Sequence, residues 1–371
     1  MSTAAPRLIL HLGQHKTGSK ALQSSLAAHA DRLLARGVFY PRLAPAAPSH
    51  AHAVSHHRFF VGVRHAAMRA HGDAAAADRF RSAEGCGEVP SPEESFAQLD
   101  AARRRAGATT LLLSAEDLFD LHTCHELAFT PAYAVHAARR LAALAGEHGY
   151  HPQLVVYVRR QDHLLAAHYA QFVKGAPEGD LDFATFAERF APRLRTSERL
   201  QPWVDAFGAA AIVLRPYERE QLPGGIVPDF LRLLLGAPPE PAWPAPPRDR
   251  ESANVTPDHE HLECIRLLRR RALPGWRLLR VADLLDLALG DQPANPAPAI
   301  TAWLSPAERG ALLAAHAAGN RALATRFLGR DELFAEPLPA EEAAWTPPVL
   351  SAARARVIAR RTLGSLNGVS V

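Results

Sequence analysis

With 371 residues, 48% of them hydrophobic, the chain can bury a substantial core in one large or two modest domains. A formal charge of +4 falls far short of a nucleic-acid-binding footprint, but it suits an anionic small molecule or an acidic polymer. Cys86, Cys124 and Cys264 are widely spaced and form no CxxC pair, which argues against a disulfide framework or a zinc site and fits a reducing cytoplasm. Met1 to Ala5 lacks the features of a signal peptide, and Leu8 to Leu12 is far shorter than the roughly 20 residues of a membrane helix, so no export or insertion is expected.

The apolar run Leu8 to Leu12 predicts a buried strand. It meets Gly13, then Lys16-Thr17-Gly18-Ser19-Lys20, then a helix from about Ala21. Strand, glycine-bearing loop and helix N-terminus together make an anion cradle, in which backbone N–H groups and the positive end of the helix dipole converge on a phosphate or similar oxyanion. Gly13 and Gly18 have the separation of a Walker A loop. Ser19, however, precedes Lys20, and Ala21 stands where that loop carries its magnesium-binding hydroxyl, so an ATP–magnesium site is disfavoured.

Leu22 to Arg36 has helical spacing and closes at Gly37. Residues 41–95 lose periodicity apart from a short helix near Phe59 to Arg69, and read as an active-site wall or lid. A helix over Phe96 to Ala106 precedes a second strand, Thr109 to Leu113, which ends in Ser114-Ala115-Glu116-Asp117. Helix Ala134 to Glu147 leads to a third strand, Leu154 to Val158, with Arg159-Arg160-Gln161-Asp162 at its end and a helix over His163 to Val173. Helix Thr196 to Phe207, strand Ala211 to Leu214, the Arg215-Pro216-Tyr217-Glu218 end and helix Val227 to Leu235 complete the alternation.

This pattern predicts an α/β three-layer sandwich with a central parallel sheet, residues 1–236, binding ligands at the carboxyl ends of its strands. The Gly13 to Lys20 loop, Glu116, Arg159 and Tyr217 then share one rim. A proline-rich connector, 237–249, leads to a helical cap over 250–330, read from Pro257 to Arg271, Trp276 to Leu289 and Ser305 to Phe327. A tail, 331–371, carries the basic Arg354 to Arg361 stretch.

The Lys16-Thr17-Gly18-Ser19 loop resembles the 5′-phosphosulfate loop of sulfotransferases that use 3′-phosphoadenosine 5′-phosphosulfate (PAPS), whose bacterial members often carry a similar KTG(T/S) signature. The segment VVYVRRQDHLLAAHYAQFVKG, Val155 to Gly175, resembles the family's 3′-phosphate motif, a strand ending in arginine followed by a helix bearing SxYxQ. Ala167 departs from that motif by replacing its serine, a loss worth roughly 1 kcal/mol, with Arg160, His163 or His168 as substitute donors. IVLRPYERE is similar to the strand that ends in a YE pair near the adenine.

The resemblance spans residues 8 to about 260. It implies a P-loop-like sulfotransferase architecture, PAPS as co-substrate and no metal. Lys16 would face the bridging oxygen of the leaving bisphosphate, with Gly13, Thr17, Gly18, Ser19 and Lys20 around the 5′-phosphate. Arg159 would grip the 3′-phosphate, Tyr217 contact the adenine and Arg250 return to the nucleotide phosphate. For the general base two readings stay open: Glu116, in an SAED context resembling the family's SxE segment, and His56, in the SHHRF segment. His50, His52, His56 and His57 lack the carboxylate or cysteine partners of a metal site.

The expected acceptor offers a hydroxyl, or an amine, on a carbohydrate, glycolipid head group or other polar molecule, against 41–95, 176–195 and the cap. No nucleic-acid partner is implied. Two rival readings are a nucleoside-triphosphate-dependent kinase with a degenerate loop and a non-catalytic nucleotide-binding scaffold.

Overall fold

The computed structural model describes residues 5–41, 56–84, 89–122, 126–176, 178–237, 243, 259–270, 303–338 and 345. Arg250, the Trp276 to Leu289 segment, the Arg354 to Arg361 stretch, His50, His52, Cys86 and Cys124 lie outside these residues.

Strand β1, Arg7–Gly13, leads to helices α1, Ser19–Ala28, and α2, Ala30–Leu34. Strand β2, Val38–Phe39, is followed by α3, His57–Ala70, α4, Ala74–Ala83, and α5, Pro92–Arg105, before strand β3, Thr110–Ala115. Helix α6, Pro131–Glu147, leads to β4, His151–Val158. Helices α7, Gln161–Gly175, α8, Phe183–Phe190, and α9, Thr196–Phe207, precede β5, Ile212–Pro216. Helices α10, Ile226–Leu235, α11, His259–Arg270, and α12, Pro306–Leu328, complete the described chain.

The five strands form one all-parallel sheet in the order β2-β3-β1-β4-β5. Both faces are covered, as the near-continuous apolar strands require. Leu8, Leu10 and Leu12 of β1 enter one layer with α3, α5, α6 and α9, whereas Ile9 packs in the other with α1, α2 and α10. The result is a three-layer α/β sandwich. A third cluster, built on Tyr169, Phe172, Phe186, Phe190 and Leu262, joins α7, α8 and α11 beside the sheet. Helix α12, which opens with a Ser305–Glu308 capping box, rests on α7 and α9. No helix among the described residues is long and apolar enough to cross a membrane.

The structure differs from the sequence reading at four places. A fifth strand, β2, is only two residues long and gives no periodic signal. The predicted Leu22 to Arg36 helix is broken at His29, whose ring hydrogen-bonds the Ser25 carbonyl. Helices α4 and α8 are additional, each opened by an aspartate whose side chain accepts a backbone N–H, Asp73 from Ala76 and Asp182 from Thr185.

Candidate functional site

Gly13 ends β1 where nothing larger fits: a Cβ there would lie 2.7 Å from Glu116 Cα and 2.9 Å from the Ala115 carbonyl oxygen. The loop and the end of β3 are therefore packed backbone to backbone. Thr17 Oγ1 donates to the Gln14 carbonyl at 2.7 Å, so this hydroxyl staples the turn. Lys16 takes a φ of 67°, a left-handed conformation that costs a residue with a side chain on the order of 1 kcal/mol. Gly18 follows in the same region, and α1 starts there without a side-chain cap or an acidic residue in its first turn. The buried Ser19 Oγ has no hydrogen-bond partner among the described residues. Uncapped first-turn N–H groups beside an unsatisfied hydroxyl are complementary to an oxyanion.

From the end of β4, Arg159 closes on this loop. Its backbone N–H donates to Gln14 Oε1 at 2.8 Å, and its Nη1 donates to the Lys16 carbonyl at 3.0 Å. The other guanidinium nitrogens make no hydrogen bond among the described residues, and burial draws the group below the usual arginine value. Tyr217, after β5, lies under the guanidinium at 5.9 Å and brings its hydroxyl to 3.0 Å of where a Gly18 Cβ would sit. Lys16 Nζ donates to Gln171 Oε1 of α7 at 2.7 Å. Loop, Arg159 and Tyr217 are thus brought together.

Of the substitutes for the serine missing at position 167, Arg160 is bonded to Asp162 and Glu336, and His163 to Glu336. His168 is buried against Phe190. Arg160 is therefore committed to a structural ion pair.

A cleft of about 790 Å³ opens on the β3 side of the loop, lined in part by Lys16, Lys20, His57 and Glu116. A chain of ionisable groups runs along it. Glu84 Oε2 lies 2.9 Å from His57 Nε2, and His57 Nδ1 lies 3.2 Å from Asp117 Oδ2. Asp117 Oδ1 is 3.2 Å from His15 Nε2, and His15 Nδ1 is 3.5 Å from Glu116 Oε1.

Burial opposes charge on His57, but Asp117 and Glu84 outweigh it and raise the ring to about 10, leaving an imidazolium at neutral pH. Burial likewise works to raise Asp117, yet the hydrogen bonds from His15 and His57 hold it well below the usual carboxylate range. Glu116 is recessed too; His15 and, more weakly, Lys20 overcome burial and the nearby Asp117 charge to keep it below its ordinary value. Farther along the cleft, Arg64 Nη2 donates to both carboxylate oxygens of Glu126, at 2.8 and 2.7 Å, and the guanidinium lies 4.1 Å over the Phe80 ring.

His56 requires a correction as a base. It is buried, its Nδ1 accepts the Ser114 N–H at 2.9 Å, and its Nε2 donates to the Pro41 carbonyl at 3.0 Å. Burial pulls its ring down to about 4, and it does not line the cleft. It ties α3 to the end of β3, and its neighbour His57 reaches the cleft instead.

The sequence reading also missed His15, Asp117 and Glu84 as members of this chain. His15 and Asp117 sat inside segments already singled out, whereas Glu84 depends on α4, for which the Asp73 cap was the available signal. Among the described residues, no group of His, Cys, Asp and Glu side chains is arranged to hold a metal ion. No family model, curated protein or solved structure matches the chain.

Proposed function

We propose that this chain is a PAPS-dependent sulfotransferase with a P-loop-like nucleotide site, moving a sulfuryl group to the hydroxyl of a polar acceptor. The observation that carries the reading is the reach of Arg159 from β4 to the Lys16 carbonyl, with Tyr217 from β5 closing on Gly18. Three separate segments that resemble the family thereby meet at one loop.

The donor fits the residues present. Its 5′-phosphate suits the first-turn N–H groups of α1 and the Ser19 hydroxyl, and its 3′-phosphate suits the guanidinium nitrogens of Arg159 that make no hydrogen bond among the described residues. When bound, it supplies an activated sulfur–oxygen bond to a bisphosphate leaving group. Lys16 offers the cation that such a leaving oxygen needs, preorganised by its turn and by Gln171. Glu116 flanks the cleft beside Lys16 and serves as the group that takes the acceptor's proton. Lys16 lines the cleft with its side chain while its carbonyl accepts from Arg159, which supports donor and acceptor meeting at this residue.

Calorimetric titration with 3′,5′-adenosine bisphosphate in chelator, followed by sulfate transfer to a panel of hydroxylated acceptors, tests the reading. One-to-one binding and metal-independent transfer are expected. No sulfate transfer, with nucleoside-triphosphate turnover that appears only when magnesium is added, would point to the kinase alternative. Tight binding with no turnover, to acceptors or to water, would point to a scaffold.

A further inference from the structure

We propose that the C-terminal segment, α12 with the strap 333–337 that follows it, positions the grip on the 3′-phosphate, because it holds the residues directly behind Arg159 and Tyr217. The inference rests on the sulfotransferase reading and gives Arg160, Glu218 and the strap a part in recognising the donor. Arg160 and Glu218 are positioning residues: they act through Arg159 and Tyr217.

The sheet sets the meeting point. β4 and β5 pair in parallel with Val158 opposite Pro216, and the Tyr217 N–H donates to the Val158 carbonyl at 2.7 Å. Arg159 and Tyr217 are therefore the first residues beyond the paired strands, and Arg160 and Glu218 the second. That second row is where the C-terminal segment crosses.

Each of the four residues after Arg159 engages it. Arg160 Nη1 donates to the Glu336 and Pro337 carbonyls at 3.0 and 3.2 Å, and its Nη2 donates to Glu336 Oε1 at 2.7 Å. Gln161 and Asn320 exchange amide hydrogen bonds at 2.8 and 3.1 Å. Asp162 accepts from Arg309 at 3.2 Å, and His163 Nε2 lies 2.9 Å from Glu336 Oε2. On the β5 side, Glu218 accepts the Ala335 N–H at 2.7 Å and the Glu336 N–H at 3.3 Å, while Gln221 donates to the Leu333 carbonyl at 3.2 Å. Leu333 is buried in the core that holds Val156 and Val158 of β4.

These contacts are stiff because of what they cover. Arg160 is 3% exposed and Asp162 fully buried, so a strap that lifted would leave buried charge short of partners. Arg159 is held from the other side by the loop, through Gln14 and the Lys16 carbonyl. Its peptide thus hangs between loop and C-terminal segment. A bidentate grip on phosphate depends on the plane of the guanidinium, and a small turn of the backbone at its root carries that plane away. The Glu336 carboxylate also acts on Arg159 and opposes the effect of burial there, so a clean test must leave this charge in place.

The test uses the full chain and two probes that differ by one group, 3′,5′-adenosine bisphosphate and adenosine 5′-phosphate. The ratio of their affinities measures the 3′-phosphate contact. Coupling is reciprocal, so at matched saturation the bisphosphate should slow hydrogen exchange at the Ala335 and Glu336 amides by about fivefold or more relative to adenosine 5′-phosphate. Leu333→Ala loosens the strap and removes no charge. It should lower the affinity ratio by about fivefold, with adenosine 5′-phosphate binding held within about twofold. A strap that only braced the fold would weaken both nucleotides alike. Equal exchange with the two nucleotides overturns the proposal, and decides it alone if Leu333→Ala does not fold; so does an unchanged ratio in folded Leu333→Ala. A wild type that prefers the bisphosphate while the strap amides stay unmoved sinks the strap's role and leaves the sulfotransferase reading standing. A wild type that binds neither nucleotide overturns that reading, and the strap's role with it.

Discussion

The two sides of the Gly13–Lys20 loop are built by different means. Toward β4 and β5, the site consists of backbone amides, Gly18 and the residues that immediately follow strands, Arg159 and Tyr217. Toward β3 it is a relay of side chains, His15, Asp117, His57 and Glu84, drawn from four places in the chain and held by one another's charge. A backbone-built site depends on shape and is lost through steric change. A side-chain-built site depends on protonation and is lost through pH.

The largest effect should come from the buried cluster around Asp120, three residues after Asp117. Asp120 is clamped by Arg193 and Arg199, all three nearly excluded from solvent, so Asp120→Ala strands two buried cations and should cost about 3–5 kcal/mol in urea unfolding. On the loop side, Gly13→Val should cost about 2–3 kcal/mol, because the new side chain meets the β3 backbone rather than a movable group. A loss below about 0.5 kcal/mol in either would break the contrast.

Stability against pH sharpens it. His11 and His56 are buried with rings pulled from 6.5 to about 4, so the unfolded chain takes up protons that the native chain refuses, and stability falls as pH drops from 6.5 to about 4. His57 is raised from 6.5 to about 10, so its contribution is complete below 6.5 and is lost as pH rises through about 10. Urea midpoints measured across this range should therefore peak near neutrality, with His57→Gln flattening the alkaline side. A midpoint unchanged from pH 4 to 10 would contradict the charge relay. The smallest effect concerns backbone strain: Lys16→Gly should be more stable than Lys16→Ala by about 1 kcal/mol, since φ at this position is 67°. Both variants should lose sulfuryl transfer.

Much of the loop side was legible because a strand end, a glycine and a helix start are neighbours in sequence. Arg159 and Tyr217 were legible for the same reason, each standing just after an apolar run. The cleft side was not. Placing His57 rather than His56 in the cleft depends on the rotational phase of α3, and two adjacent histidines give a periodicity argument no leverage. Glu84 belongs to the cleft only once α4 folds back, and the alanine-rich start of that helix shows little hydrophobic stripe. Lys16 meeting Gln171 joins residues 155 positions apart, a contact that only the packing of α7 creates.

The most direct test of the account is a crystal structure of the chain with 3′,5′-adenosine bisphosphate. The 5′-phosphate should sit on the first-turn amides of α1 with Ser19 Oγ bonded to it, Arg159 should engage the 3′-phosphate, and the adenine should lie by Tyr217. A nucleotide bound elsewhere, or a 3′-phosphate beyond the reach of Arg159 while Lys16 holds the 5′ end, would contradict it.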